Sequence, residues 1–417
     1  MKHMFHLKPA LSGAAPIDVS IVMPCLNEVQ SLSHCIANAR EALACIAAEY
    51  GLAGEIVIAD NGSTDGSQAL AELLGARVVA VGARGYGAAL IGGCHAAFGR
   101  NILMGDADGS YDFTDGVGMI GRLEQGADLC MGSRFQGGIA PGAMPWKNRH
   151  IGNPILTGIL NLFFSAGIDD AHCGLRAISK KAFLELGLAG SGMEFASEMV
   201  IKAALKRMRI DQVPATLSRD LRDRPPHLRP WRDGWRHLRY LLMLSPTWVF
   251  GVPAMAAILG ASFILGVATL FALGFLKGPC PFGASWTIVG GFLLTVGHFA
   301  ALMSVAMHFH GVRKGYRRLR PLLGRMAGLM TLETALIAGS VLIVGSFAGL
   351  VTIGLSWSHH GFAALPSVLP LTLAAACGTL GLQTILGGFV LAIIADHSNR
   401  LTPHDATDPC IVLPIAA

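Results

Sequence analysis

The sequence predicts an α/β fold, a mostly parallel sheet with helices on both faces, followed by a C-terminal transmembrane helical region. Three observations predict it. Between residues 18 and 106, short apolar runs alternate with helical stretches, the strand-helix-strand rhythm of a parallel sheet. The composition is divided: 417 residues with 52% hydrophobic and 14% charged side chains and a mean hydropathy of +0.52 are too apolar for an ordinary soluble enzyme, while the first half is too charged for a pure membrane bundle. Beyond residue 247, four apolar segments are each long enough to cross a bilayer.

The first strand runs through Asp18-Val19-Ser20-Ile21-Val22-Met23 and ends at Pro24, its continuous apolar run fitting a strand covered on both faces. The polar residues after it open a helix reaching about Tyr50. Residues 55–60 form the second strand, and Asn61-Gly62-Ser63-Thr64-Asp65-Gly66 is turn chemistry leading to a helix near 69–74. A strand over 76–81, a glycine-rich turn over 82–87 and a small-residue helix to Phe98 come next. The strand Ile102-Leu103-Met104-Gly105 then breaks into Asp106-Ala107-Asp108. Ligands of parallel sheets gather at the carboxyl ends of strands, where Asp60 and Asp106 both fall. Residues i and i+2 of an extended chain share a face, so Asp106 and Asp108 can reach one hard cation, and that cation a diphosphate. The same tripeptide also serves simply to open a polar loop.

Several alternatives are excluded by pattern. A nicotinamide-binding fold needs its glycine fingerprint after the first strand, where this chain has Pro24-Cys25-Leu26-Asn27-Glu28, and Gly85-x-Gly87 lacks the third glycine at Leu90. Neither G-x-x-x-x-G-K-[ST] nor G-x-S-x-G occurs. Nine cysteines show no C-x-x-C pair and read as reduced packing residues, and no apolar stretch of signal-peptide type precedes Pro16.

Val22-Met23-Pro24-Cys25-Leu26-Asn27-Glu28, Asp60-Asn61-Gly62-Ser63-Thr64-Asp65-Gly66, Gly85-Tyr86-Gly87-Ala88-Ala89 and Asp106-Ala107-Asp108-Gly109 resemble, in this order, the motifs of inverting family 2 glycosyltransferases with the GT-A fold. The narrower resemblance, over residues 17–245, is to the polyprenyl-phosphate glycosyltransferases. It implies a nucleotide pocket of Pro24, Leu26, Asn27, Glu28, Asp60, Gly62, Gly85 and Asp106, with Asp60 accepting from the base. It also implies that Asp106 and Asp108 hold Mg²⁺ or Mn²⁺ against a UDP- or GDP-linked sugar. Gly132-Ser133-Arg134-Phe135 resembles the family segment whose arginine meets the acceptor phosphate, and a guanidinium at a strand end suits bidentate phosphate contact. Asp170-Ala171-His172-Cys173-Gly174-Leu175-Arg176 matches the family's D-x-x-[CS]-G-[FL]-R, which implies that Asp170 and Arg176 border the sugar and its phosphates. His172 reads as a packing or hydrogen-bonding residue more readily than as a base. Glu198, on a helix over 195–208, matches an acidic family position, and both it and Glu194 can simply cap or pair. The acceptor needs no catalytic base, because a phosphate monoester is largely a dianion at neutral pH.

The apolar stretch 151–168 is nearly long enough to span, but Asn153, Thr157 and Asn161 make a polar stripe along it, and it is expected to lie at the membrane surface. From Arg219 to Arg239, arginines alternate with Trp231, Trp235 and Tyr240, the pattern of a helix seated among anionic headgroups. Arg222 and Arg224 can serve the lipid phosphate, and the spans that follow favour lipid over nucleic acid as partner. The domains are expected at 1–215, 216–246 as a juxtamembrane segment, 247–397 with spans near 248–275, 282–309, 331–355 and 367–395, and 398–417 as a tail. Arg313 to Arg325 place the loop between the second and third spans in the cytoplasm, with the catalytic domain and the tail, in a multi-pass plasma-membrane protein. Small residues from Gly339 to Gly354 permit helix association and a homo-oligomer. The enzyme expected is a hexosyltransferase acting on polyprenyl phosphate. A processive polysaccharide synthase, which would need the missing Q-x-x-R-W, and a non-catalytic nucleotide-sugar-binding module are the alternatives.

Overall fold

The computed structural model describes residues 16–222, 230–326, 329–363, 365 and 367–395. They form two compact units that divide between Leu241 and Leu242.

The first unit is built on a seven-stranded sheet: β1 (Val19–Cys25), β2 (Gly54–Asp60), β3 (Arg77–Ala80), β4 (Asn101–Met104), β5 (Leu129–Ser133), β6 (Arg176–Ser179) and β7 (Ile210–Pro214), in the order β3-β2-β1-β4-β6-β5-β7. Every pairing is parallel except those of β6, which runs antiparallel to both β4 and β5. The helices of this unit are α1 (Val29–Tyr50), α2 (Ser67–Leu73), α3 (Tyr86–Ala96), α4 (Gly116–Glu124), α5 (Arg134–Gly137), α6 (Asn153–Phe164), α7 (Lys180–Leu186), α8 (Phe195–Leu205) and α9 (Pro230–Met243), the last reaching just past the division. Residues 19–23 of β1 are fully buried, and the Leu32, Ile36, Ala39, Ile46 stripe of α1 packs in the same core as Ile21, Met23 and Leu103. Burial on both faces accounts for the absence of alternation in β1.

Register explains why the sheet opens where it does. The pairing of β1 with β4 stops at Val22↔Met104, whereas its pairing with β2 continues to Cys25↔Asp60. Pro24 therefore stands past the end of β4, where a missing backbone N–H breaks no ladder bond. The loops after β1 and β4 separate at this point, and a crevice at the carboxyl edge results.

The ends of α6 and α8 fall slightly inside the expected limits. α8 stops at Leu205, with Arg207 in the left-handed region (φ 57°), and α6 stops at Phe164, with Ser165 at φ 55°. Asn161 causes the second stop: its side chain donates to Ile168 O (2.7 Å) and accepts from Ile168 N (3.2 Å), folding the chain back. The polar stripe of α6 faces protein, as Thr157 is buried and its hydroxyl accepts from Ala171 N (3.4 Å). Ile155 and Leu162 point outward, 56% and 58% exposed.

The segment after β7, expected to stand apart from residue 216 on, packs with the sheet unit. Leu217 bridges to Tyr111 and Ile139, and Leu221 N donates to Asp108 O (2.8 Å), laying residues 216–222 across the Asp106–Asp108 loop. On α9, Gly234, His237 and Leu241 share a face and His237 and Leu241 are buried, while Trp235 and Met243 are 60% and 71% exposed.

The second unit holds α10 (Val252–Ala272), α11 (Ala284–Arg313), α12 (Pro321–Arg325), α13 (Leu332–His359) and α14 (Leu369–Ile394). Four helices, Thr247–Ala272, Ala284–Arg313, Leu332–His359 and Leu369–Ile394, are long and apolar enough to cross a membrane. Gly339 and Gly381 let α13 and α14 approach closely, since a Cβ at Gly339 would stand 2.7 Å from Gly381 O. The small residues around Gly339 thus serve packing within the chain. The tail 398–417 lies outside the described residues.

Candidate active site

A cavity of about 1160 Å³ opens at the carboxyl edge of the sheet. Backbone cross-links between successive loops shape its floor. Asn27 adopts φ 58°, a conformation asparagine tolerates, and there its N–H donates to Ser63 Oγ (2.9 Å) while its Oδ1 accepts from Thr64 N (2.8 Å). Asn61 does the same for the third loop, accepting from Gly85 N (2.7 Å) and donating to Ala83 O (2.7 Å). Ser31 Oγ donates to Ala107 O (2.6 Å), tying the start of α1 to the Asp106–Asp108 loop.

Of the residues expected at the nucleotide, Pro24, Leu26, Asn27, Glu28, Gly62, Gly85 and Asp106 line the cavity. Asp60 does not face it. Its carboxylate accepts from Gly62 N (2.9 Å), Ser63 N (3.2 Å) and Gln68 Nε2 (2.5 Å), and these bonds outweigh burial to hold its pKa below the usual value. Asp60 thus organises its own turn in this structure. Gly85 and Gly87 have a steric duty: a Cβ on either would stand 2.1 Å from the carbonyl of Ser191 or Gly190.

Asp106 and Asp108 share the cavity wall in unequal surroundings. Burial, then the charge of Asp108, pushes the Asp106 carboxyl up to about 6, against the hydrogen bond from the Tyr86 hydroxyl. Asp108 accepts from Ser110 N (3.0 Å) and takes the Arg222 guanidinium, which also pairs with Glu28 (3.2 Å) and Asp220 (3.4 Å). The donor set fits a small hard cation: two carboxylates two residues apart, one of them resisting ionisation in the other's field, are short of positive charge. Among the described residues no group of three or more metal-ligating side chains exists. Any ion would take its remaining ligands from phosphate oxygens and water, as Mg²⁺ commonly does.

Arg134 and Asp170 form a buried fork, Nε–Oδ2 2.6 Å and Nη2–Oδ1 2.7 Å, with side chains 9% and 0% exposed. Burial alone would raise Asp170, but the arginine's hydrogen bonds and charge prevail and hold its carboxyl below the usual range. Arg134 lines the cavity and Asp170 stands behind it. Arg176 also lines the cavity, anchored to Ala196 O (3.1 Å) and Cys173 O. Glu198 braces the preceding loop, accepting from Gly190 N (2.7 Å) and pairing with Lys202 (2.7 Å), and Glu194 accepts from Gly192 N (3.1 Å). His172 is kept neutral, pushed down to about 3 by burial and by His237, and its Nε2 lies 3.3 Å from Ser197 Oγ. Arg224 lies outside the described residues.

Two functional candidates escaped the sequence reading. Tyr86 reaches Asp106 from the start of α3, and Tyr111 accepts from Gly174 N (2.8 Å) beside Arg134 Nη1 (3.5 Å). A tyrosine flanked by two glycines was the available signal for the first.

Residues 20–187 match the family "Glycosyl transferase family 2", and residues 305–395 match "Glycosyltransferase family 2 C-terminal transmembrane region". The chain is 34% identical to the low-salt glycan biosynthesis hexosyltransferase Agl6 of Haloferax volcanii, over 94% of this chain and 92% of that protein. It is 27% identical to the dolichyl-phosphate beta-glucosyltransferase of Saccharomyces cerevisiae, over 48% of this chain and 66% of that one. With the dolichyl-phosphate hexose transferase of Haloferax volcanii the identity is 25%, over 47% and 81% of the two chains.

Proposed function

Because the chain belongs to glycosyl transferase family 2 and is a membrane glycosyltransferase of that type, we propose that it moves one hexose from a UDP- or GDP-linked donor to the phosphate of a polyprenyl lipid, with inversion at the anomeric carbon. The observation that carries this reading is the meeting of Asp106, Asp108 and Glu28 with Arg134, Arg176 and Arg222 in one cavity at the carboxyl edge of the sheet. Anions on both substrates are what such a mixture of charges suits.

Asp106 and Asp108 would hold Mg²⁺ or Mn²⁺, which when bound supplies positive charge against the donor diphosphate. The loops after β1, β2 and β3 would seat the nucleotide, their mutual hydrogen bonds fixing Asn27, Gly62 and Gly85 before it arrives. An oxygen of the acceptor phosphate forms the new bond to the anomeric carbon while the bond from that carbon to the diphosphate oxygen breaks, and the nucleoside diphosphate leaves. No proton need be removed from the attacking group. Arg176, fixed by two carbonyls, and Arg222, paired with Asp108 and Glu28 at the cavity wall, would steady the phosphates. Arg134, already neutralised by Asp170, would contribute position more than net charge.

Membrane integration follows from the four spans and the matched transmembrane region. Placement in the plasma membrane with the sheet unit in the cytoplasm rests on the basic stretch Arg313 to Arg325. The test is incubation of membranes carrying the protein with labelled UDP- and GDP-hexoses and undecaprenyl phosphate. Cation-dependent label in an organic-extractable lipid, with anomeric configuration opposite to the donor's, is expected. Donor binding without transfer would favour the non-catalytic module, and label in a growing polymer the processive synthase.

A further inference from the structure

The described residues of the membrane unit carry a charge imbalance. Between Leu242 and Ala395 the sequence has one carboxylate, Glu333, against seven Lys and Arg side chains, six of them between Arg313 and Arg325. Arg313 is accounted for, since its guanidinium caps the end of α14 through the carbonyls of Ile393 (3.4 Å) and Ile394 (3.0 Å). Arg317 is a different case. It is only 9% exposed, its Nη2 donates to Leu244 O, and its Nε is shielded from solvent with no hydrogen-bond partner. No described carboxylate lies within ion-pair distance of it.

Around this guanidinium stand other groups that prefer an anion. Arg320, exposed, donates through Nη2 to Thr247 Oγ1 (2.8 Å), and its backbone N lies 3.4 Å from His308 Nε2. His308 is 5% exposed, and its Nδ1 is also buried without a partner. Burial pushes Arg317 down to about 10, against an opposing contribution from Tyr316 and with a smaller one in the same direction from the Arg320 charge. A single carbonyl satisfies one donor of a guanidinium and leaves its charge uncompensated, a costly arrangement out of water. Sulfate or nucleotide could supply the anion in solution, but these residues end a span, at the depth where lipid phosphates lie.

We propose that Arg317 and Arg320, with the Thr247 hydroxyl and the His308 ring, bind the phosphate of a membrane lipid at the basic end of the four-helix unit. The site consists only of membrane-unit residues and does not depend on the glycosyl-transfer reading. Two lipids share the required chemistry, a phosphodiester of an anionic phospholipid and a phosphate monoester on a prenyl chain.

Native mass spectrometry of the full-length protein in detergent separates them, by titration with phosphatidylglycerol, with farnesyl phosphate and with diacylglycerol as the phosphate-free control. Arg320→Gln, at an exposed position, is expected to weaken binding of at least one phosphate lipid about tenfold, the loss of one charge-assisted contact, and to leave diacylglycerol unchanged. Arg317→Gln should do the same where it folds. A difference confined to phosphatidylglycerol identifies a phospholipid site, and one confined to farnesyl phosphate identifies a site for the prenyl monoester; either supports the proposal. Wild-type affinity of Arg320→Gln for both phosphate lipids, or an equal loss for diacylglycerol, overturns it.

Discussion

Asp106 and Asp108 stand two residues apart, yet among the described residues only Asp108 is in an ion pair. Asp108 is paired with Arg222, whereas Asp106 has the Tyr86 hydroxyl and a carboxyl pushed up to about 6. An incoming divalent ion would relieve Asp106 most, so Asp106→Asn is expected to lower hexosyl transfer by about 10²–10³ while the melting temperature stays the same or rises. Transfer rates and thermal melts of the purified variant check this, and unchanged transfer would remove Asp106 from the machinery. The buried Arg134–Asp170 pair predicts the opposite balance. Asp170→Asn leaves a buried guanidinium without its counter-charge and should cost about 3–5 kcal/mol of stability. The sign with pH follows from Asp170 being held below its usual 3.8. Its contribution is complete above that value, where the unfolded carboxyl is also ionised, and is lost as pH falls through the lower native value. Wild-type melting temperature should therefore drop below about pH 4 more steeply than that of Asp170→Asn, which lacks the group.

Among the elements, the glycine-rich entry to α3 and the outward face of α6 make separate demands. Gly85 has φ +128° and would place a Cβ 2.1 Å from Ser191 O, so Gly85→Ala must displace backbone. It is expected to cost more than about 1 kcal/mol and to raise the donor KM, because the same N–H is fixed by Asn61 beside the cavity. An unchanged melting temperature would show that residues 190–192 yield freely. On α6, Ile155 and Leu162 are exposed while Asn161 and Thr157 are engaged with protein. An apolar face turned outward on a membrane enzyme suits the lipid interface. Ile155→Asp with Leu162→Asp should raise the KM for polyprenyl phosphate at least fivefold and leave the donor KM unchanged; equal effects on both would point to a packing role.

For the whole molecule, the proposed topology predicts sidedness. With Thr247–Ala272 crossing the bilayer as proposed, exposed Cys45 on α1 and exposed Cys280 in the following linker should react with a membrane-impermeant maleimide from opposite sides of sealed vesicles. Labelling of both from one side would contradict the arrangement proposed. The four spans were legible because hydrocarbon demands long uninterrupted apolar runs, a purely local property. The strands were legible for a related reason: a parallel sheet covered on both faces writes itself as continuous apolar runs, as in residues 19–23. The order of motifs from Pro24 to Asp108 likewise marked which loops surround the cavity, since strand ends follow directly from strand positions. What the sequence could not supply was the partner of each charge. Arg222 lies 114 residues from Asp108 and 194 from Glu28, Arg134 lies 36 from Asp170, and Asp60 turned to its own loop instead of the cavity. Local pattern determines which side chains reach an edge of the sheet; only tertiary packing decides which of them remain available there, because long-range neighbours set both the pairing and the desolvation of every charge.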